Sequence, residues 1–221
     1  MSGGASKNGG MCCGSNLPAN SPTGDADDFL LLGLQGSGKT LLGQRLRTVY
    51  GRCPGPPFRV VTTETHGCQD FRVPTARGCP VRDVKIRECG GSMQPLWRNW
   101  YSRPIRGVVF ALDASDAAAL AGAAVELYEV LQRPDLSPKP VCLVLTKADL
   151  PVTLSRAELD LTLGLAELER LYPGRLRVAE LSSVLPPEEC PALGALVDWM
   201  AGVKARDLGL EGRDAAGKQR R

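Results

Sequence analysis

The segment Gly33-Leu34-Gln35-Gly36-Ser37-Gly38-Lys39-Thr40 constrains this chain more than any other feature, because it matches the pattern G-x-x-x-x-G-K-[ST]. Its context matches too. Before it, Phe29-Leu30-Leu31-Leu32 is an unbroken apolar run, as in a strand buried on both faces. After it, Leu42, Leu46 and Val49 recur at i, i+4 and i+7, which marks one face of a helix. Glycines let a backbone curl around phosphate oxygens with its N–H groups turned inward. The first turn of the following helix adds unpaired N–H groups and the positive end of its dipole. Lys39 supplies a point charge, and Thr40 a hydroxyl oxygen of the kind Mg²⁺ prefers. Such a loop reports the phosphates of a nucleoside triphosphate and leaves the base open.

The rest of the chain gives this loop one domain to sit in. With 221 residues, there is room for a single ordinary domain plus tails. An apolar content of 43% with 23% charged residues is that of a globular chain. The stretch Ala117 to Val125 stops at Glu126, well short of a bilayer span, and the start Met1-Ser2-Gly3-Gly4 lacks a secretory pattern. These features predict a cytoplasmic protein with no transmembrane segment. Residues 1–27, rich in Gly, Ser, Asn and Pro, read as a disordered tail, and 204–221 as a basic disordered tail, leaving 28–203 as the folded domain. A net charge of +3 is too small to suggest a nucleic-acid partner. The doublet Cys12-Cys13 is a candidate palmitoylation pair, with a chance doublet in a flexible tail the plainer alternative. The eight cysteines show no C-x-x-C spacing and the chain has one histidine, so zinc is not expected and the thiols are expected reduced.

Further strands are predicted over 68–73, 81–88, 105–112, 141–145 and 176–181. Helices are predicted with inner faces at Leu120, Ala124, Leu127 and Leu131, and at Leu193, Leu196, Val197 and Met200. A short one is expected around Leu96 and Trp97. Ser155-x-x-Glu158 has the capping-box pattern and predicts a single helix running toward Leu171. Buried strands alternating with amphipathic helices predict an α/β fold, a mostly parallel sheet covered on both faces. Ligands on such sheets bind beyond the carboxyl ends of the strands.

Two more strand ends carry chemistry. Val141 to Leu145 leads into Thr146-Lys147-Ala148-Asp149. A carboxylate there can accept paired hydrogen bonds from guanine N1–H and its 2-amino group, a donor pair that adenine lacks, while the stem of Lys147 can lie over the base. Ile86-Arg87 leads into Glu88-Cys89-Gly90-Gly91. An acid there can hold a water on Mg²⁺, and the glycines allow a backbone N–H to approach the terminal phosphate.

These elements in this order resemble a small GTPase. Gly90-Gly91 followed by Pro95-Leu96-Trp97-Arg98, and Phe110-Ala111-Leu112-Asp113-Ala114-Ser115-Asp116, are similar to motifs of the ADP-ribosylation-factor-like branch, over about Phe29 to Val203. The resemblance implies a P-loop NTPase small G domain: six strands, mostly parallel with one antiparallel edge, and helices on both faces. It implies GTP or GDP and Mg²⁺ as cofactors. Gly33, Leu34, Gln35, Gly36, Ser37, Gly38, Lys39 and Thr40 would bind phosphates. Thr65 would complete the Mg²⁺ site with Thr40, and Glu88 would reach the metal through water. Gly91 would meet the terminal phosphate. Thr146, Lys147 and Asp149 would read guanine, and Ser183 would present its backbone N–H to the guanine carbonyl. His66 matches an apolar, non-catalytic position of the family.

Three departures matter. Ser92 stands where the family has the glutamine that orients the attacking water, and serine is too short for that task. Gln94 lies two positions on, in a shortened segment. Glu88 replaces an aspartate, which moves the carboxylate by one methylene. Ser2 stands where a myristoylated glycine would be. The expected function is a GTP-binding switch with weak or partner-dependent hydrolysis. It would recruit effectors through residues 51–67 and 90–104, as a monomer with at most peripheral membrane contact. A pseudo-GTPase scaffold, indifferent to nucleotide, is the main alternative. A small-molecule kinase is a lesser one, since Arg98, Arg103 and Arg106 are too scattered for a lid. Trp97 is expected in the core beneath the second switch, and Trp100 either there or on the effector surface.

Overall fold

The computed structural model describes residues 27–51, 58–151 and 153–210. Its strands are β1 (Phe29–Leu32), β2 (Cys68–Pro74), β3 (Asp83–Cys89), β4 (Gly107–Asp113), β5 (Val141–Thr146) and β6 (Leu176–Glu180). They form one sheet in the order β2-β3-β1-β4-β5-β6. All neighbours run parallel except β2 and β3, which form an antiparallel hairpin at one edge. The phosphate loop leaves β1 near the middle of the sheet, where the strand order reverses, and ligands settle at such switch points. The helices are α1 (Lys39–Leu46), α2 (Arg98–Tyr101), α3 (Ala117–Gln132), α4 (Arg156–Leu163), α5 (Leu165–Leu171) and α6 (Pro191–Asp207).

The apolar strands are unbroken because each feeds two cores. In β1, Leu30 and Leu32 pack with Val108, Phe110, Leu143 and Leu145 beneath α3, α4 and α5. Phe29 and Leu31 pack with Ile86, Val109 and Val144 beneath α1 and α6. Each fully buried side chain of this size contributes roughly 1.5–3 kcal/mol, so a polar residue on either face would be costly. Cys142 is one of these buried residues in β5.

Four details differ from the sequence-based expectations. The predicted helix from Ser155 toward Leu171 is two helices. Ser155 and Glu158 form the capping box at the start of α4, but Gly164 takes a left-handed conformation (φ 60°) and breaks the run before α5. The strand predicted from Ile105 begins at Gly107, because Ile105 closes a turn by donating its N–H to Arg103 O. At the carboxyl side, α6 continues to Asp207, past the boundary expected at 203. Lys204 is bound into the fold there, its Nζ 2.7 Å from Asp28 Oδ2 and 2.9 Å from Asp83 O. Asp28 also accepts from Arg106 Nε and from the Lys85 N–H, each at 2.8 Å. Asp27, expected within the tail, pairs with Arg87 at 3.2 Å. Residues 1–26, with the Cys12-Cys13 doublet, and 211–221 lie outside the described residues. Among the described residues, no helix is long and apolar enough to cross a membrane.

Candidate functional site

The loop between β1 and α1 owes its shape to glycine at two points. Gly33 has φ 143°, and a Cβ there would stand 2.2 Å from Ala111 O of β4. Gly38 (φ 78°) precedes the first turn of α1 in a left-handed conformation. Any other residue at either position would be strained, and at Gly33 it would also clash. Lys39 folds back along the loop, its Nζ donating to Leu34 O at 2.8 Å and reaching Ser37 Oγ at 3.4 Å. Burial pushes its pKa down to about 8, against the pull of Glu88. The ammonium is thus held where it lacks water and a full counter-charge.

Three oxygen-bearing side chains distant in sequence meet beside it. Thr40 Oγ1 donates to Glu88 Oε1 at 2.6 Å, and Thr65 Oγ1 lies 2.9 Å from Thr40 Oγ1 and 3.2 Å from Glu88 Oε1. Glu88 is 1% exposed, and its second oxygen, Oε2, has no partner. Desolvation raises its pKa, opposed by the two hydroxyls and Lys39. A hard divalent cation suits this set: two hydroxyls and one carboxylate, of which one oxygen is orphaned. Among the described residues, no cluster of three or more His, Cys, Asp or Glu side chains could hold a metal. A cation here would therefore depend on Thr40, Thr65, Glu88, and oxygens supplied by a ligand.

Gly90 and Gly91 close this corner by contact. A Cβ on Gly90 would lie 2.2 Å from Thr65 O, and one on Gly91 would lie 2.3 Å from the Gln35 amide nitrogen. Gly90 N–H donates to Gly67 O at 2.9 Å. The resulting cavity, of about 370 Å³, is lined by Gln35, Gly36, Gly38, Lys39, Thr40, Thr65, Glu88, Gly91 and Lys147 among others. Thr62, Thr63 and Glu64, in the segment before β2, also line it.

The other strand-end residues surround this cavity in different roles. Thr146 is buried, and its hydroxyl lies 3.0 Å from Ser37 O and 3.1 Å from Leu112 O. It braces the phosphate loop against β4 and β5. Lys147 has φ 60°, the one non-glycine residue with positive φ among those described, and its Nζ reaches Asp113 Oδ2 at 2.5 Å. Burial opposes ionisation of Asp113, yet the hydrogen bonds from Lys147 and Ser115 hold its carboxyl below the usual carboxylate range. Asp149 is exposed and outside the cavity lining. Ser183 is buried, and its carbonyl accepts from Arg45 Nε at 2.9 Å, while Arg45 Nη2 donates to Val184 O at 2.7 Å. Arg45 also lies 3.4 Å from the centre of the Phe58 ring.

Sequence reasoning assigned no role to Asp113 or Arg45. Asp113 had a signal, an acid ending a buried apolar strand. Arg45 had none, since a basic residue on a helix reads as solvated until its carbonyl partners are seen.

Ser92 is exposed and does not line the cavity. Gln94 is drawn to α3, where its Nε2 donates to Glu126 Oε1 at 2.7 Å. His66 is exposed and outside the lining. Trp97 is buried, donates its Nε1–H to Gly90 O at 3.1 Å and meets Phe110 edge-on, so it belongs to the core. Trp100 is half-buried, with the guanidinium of Arg103 4.0 Å and that of Arg87 5.1 Å from its ring centre.

A glycine-rich phosphate loop leaving β1 of a sheet with this strand order defines a P-loop small G domain. The ADP-ribosylation factor family model matches residues 25–198, and the chain belongs to that family. It is similar to human ADP-ribosylation factor-like protein 16, with 35% identity over 126 residues that cover 55% of this chain and 60% of that protein. It is 32% identical to human ADP-ribosylation factor-like protein 4D over 152 residues, covering 64% of this chain and 71% of the relative. The match to the first of these thus spans less than two thirds of that relative's length. Among solved structures, the Arl6 small GTPase of Trypanosoma brucei, with bound GppNp, superposes with a TM-score of 0.61 at 21% identity, covering 81% of this chain and 98% of that one. The signal recognition particle receptor complex of Chaetomium thermophilum contains a chain that superposes with a TM-score of 0.62 at 17% identity, with coverage of 81% and 99%.

Proposed function

We propose that this protein is a guanine-nucleotide switch whose first switch segment reports the terminal phosphate through Thr65. The observation that carries this reading is the meeting of Thr40, Thr65 and Glu88 at the phosphate loop, 48 positions apart in the chain between Thr40 and Glu88. The phosphate loop from Gly33 to Thr40 would wrap the phosphates, with Lys39 exchanging its contact with Leu34 O for a phosphate oxygen. Thr40, Thr65 and Glu88 would hold Mg²⁺, which supplies charge neutralisation between the phosphates. The Gly91 N–H would face the terminal phosphate. Asp149 would accept from guanine, Lys147 would lie along the base, and the Ser183 N–H would meet the guanine carbonyl. Thr146 would act through the loop it braces.

Hydrolysis would be slow without a partner. Ser92 carries no group long enough to align water, and Gln94 is tied to Glu126. The nucleotide-dependent surface would be residues 51–67, of which 52–57 lie outside the described residues, with 90–104, offered to effectors in intracellular, including ciliary, trafficking. A cytoplasmic monomer suits this role. The scaffold reading draws instead on Ser92, which is exposed and outside the cavity lining, and on Glu88 standing in place of an aspartate.

The deciding experiment is to purify the full chain in Mg²⁺ buffer, denature it and chromatograph the released nucleotide. The expected result is guanine nucleotide at near-stoichiometric yield, with GTP a substantial share. Empty protein that also fails to bind added GTP would overturn the switch and leave the scaffold.

A further inference from the structure

The edge hairpin places two cysteines directly opposite each other. Cys68 opens β2 and Cys89 ends β3, and the two are register partners. The adjacent rung, Gly67 with Gly90, carries a hydrogen bond from Gly90 N–H to Gly67 O at 2.9 Å. Rungs alternate in an antiparallel pair, so the cysteines occupy a rung without hydrogen bonds. Side chains are closest there, with Cα atoms about 4.5 Å apart. That spacing lies inside the range of about 4.4–6.8 Å that a disulfide bridges. The sulfurs are 3.8 Å apart, so side-chain rotation alone must close about 2 Å. Cys68 is exposed and Cys89 is fully buried, so one thiol can meet a reagent while the other waits behind it.

We propose that Cys68 and Cys89 are a covalent modification site, a dithiol that a low-molecular-weight disulfide such as oxidised glutathione converts to a cross-strand disulfide. The Cys68 thiolate attacks one sulfur of the reagent, forming a mixed disulfide and releasing one thiol. The Cys89 thiolate then attacks the Cys68 sulfur, forming the internal bond and releasing the second thiol. Two protein thiols lose two electrons and two protons, and the reagent gains both as two thiols. Burial pushes the Cys89 thiol up, and desolvation raises that of Cys68.

The bond has a structural consequence beside the candidate site. It staples the rung next to Gly67 and Gly90, where Thr65 O already packs on Gly90. The roots of the two switch segments are then held together whatever ligand is present. The inference needs no nucleotide, so it stands or falls apart from the guanine reading.

The test is to incubate the reduced full chain with oxidised glutathione at pH 8, alkylate the remaining thiols and map tryptic peptides. Cys68 lies in peptide 60–72 and Cys89 in 88–98, while Cys79 falls in a separate peptide, 78–82. The expected product is 60–72 joined to 88–98. Cys89→Ser should instead stop at a glutathione adduct on Cys68, and Cys68→Ser should leave Cys89 unreacted. Hydrogen exchange at the Gly90 amide should slow about tenfold in the oxidised wild type. A lasting glutathione adduct on wild-type Cys68, a bond to any other cysteine, or both thiols still open to alkylation would overturn the dithiol. Unchanged exchange at Gly90 would overturn the staple.

Discussion

Lys39 holds its charge at a cost to the fold. It is 5% exposed, and its ammonium rests on one carbonyl and one weak hydroxyl contact. A lysine whose pKa falls from 10.5 to about 8 on folding costs the charged folded state about 3 kcal/mol. Below pH 8 both states carry the proton and the cost is complete. Between pH 8 and 10.5 the unfolded chain binds the proton and the folded one does not, so stability rises with pH. Lys39→Met should therefore make the ligand-free protein more stable at pH 7, by up to about 3 kcal/mol in urea unfolding. The gap to wild type should close between pH 8 and 10.5, and parallel pH curves would refute the argument. The same substitution removes the charge that would meet a phosphate, so the gain would come with lost nucleotide retention. Lys39 was legible at once, because its spacing from the glycines defines the motif. Thr146 was legible as a residue but not in its role. A four-residue motif fixes which side chains stand at a strand end, and nothing in the spacing says that its hydroxyl turns back to Ser37 O and Leu112 O. The Lys147–Asp113 pair stayed hidden because its members are 34 positions apart, Asp113 ending β4 and Lys147 directly following β5.

At the scale of elements, strands were easier to foresee than breaks between helices. The runs in β1, β4 and β5 are apolar without alternation because each feeds both cores, and that pattern survives in sequence. The division between α4 and α5 did not, because the capping box marks only where a helix starts, an isolated glycine inside a helical pattern does not by itself end one, and the next strong breaker is Pro173-Gly174. Gly164 decides the matter by conformation: at φ 60° it ends α4, donating its N–H to Asp160 O at 2.8 Å. An L-residue there pays roughly 1–2 kcal/mol for the left-handed backbone. A Cβ would meet little else, since the nearest atom is Tyr128 Oη at 3.5 Å. Gly164→Ala should lower unfolding free energy by about 1 kcal/mol without altering the phosphate loop. A neutral or stabilising effect in denaturant titration would mean that the two helices can fuse into the single helix the sequence suggested.

Across the whole molecule, the ends of β1 do different work. Its carboxyl end feeds the phosphate loop, and its amino end is anchored by Asp28. That carboxylate is 3% exposed and joins Arg106 before β4, the backbone of Lys85 in β3, and Lys204 on α6. Arg106 also pairs with Asp207 near the end of α6. This explains why the folded region runs past 203: Lys204 and Asp207 close the anchor, and their charges read in sequence as a solvated tail. Asp28→Asn keeps the shape and one acceptor but leaves two cations short of a counter-charge. Breaking a buried pair in this way typically costs 3–5 kcal/mol, and the lower end of about 3 kcal/mol applies because Arg106 keeps Asp207 and Lys204 keeps Asp83 O. The loss should appear in urea unfolding, with amide exchange rising first along α6. The phosphate loop is separated from this anchor by the full length of β1, so whatever Asp28→Asn protein remains folded should retain nucleotide as wild type does. A fall in retention out of proportion to the folded fraction would mean that the two ends of the sheet are coupled.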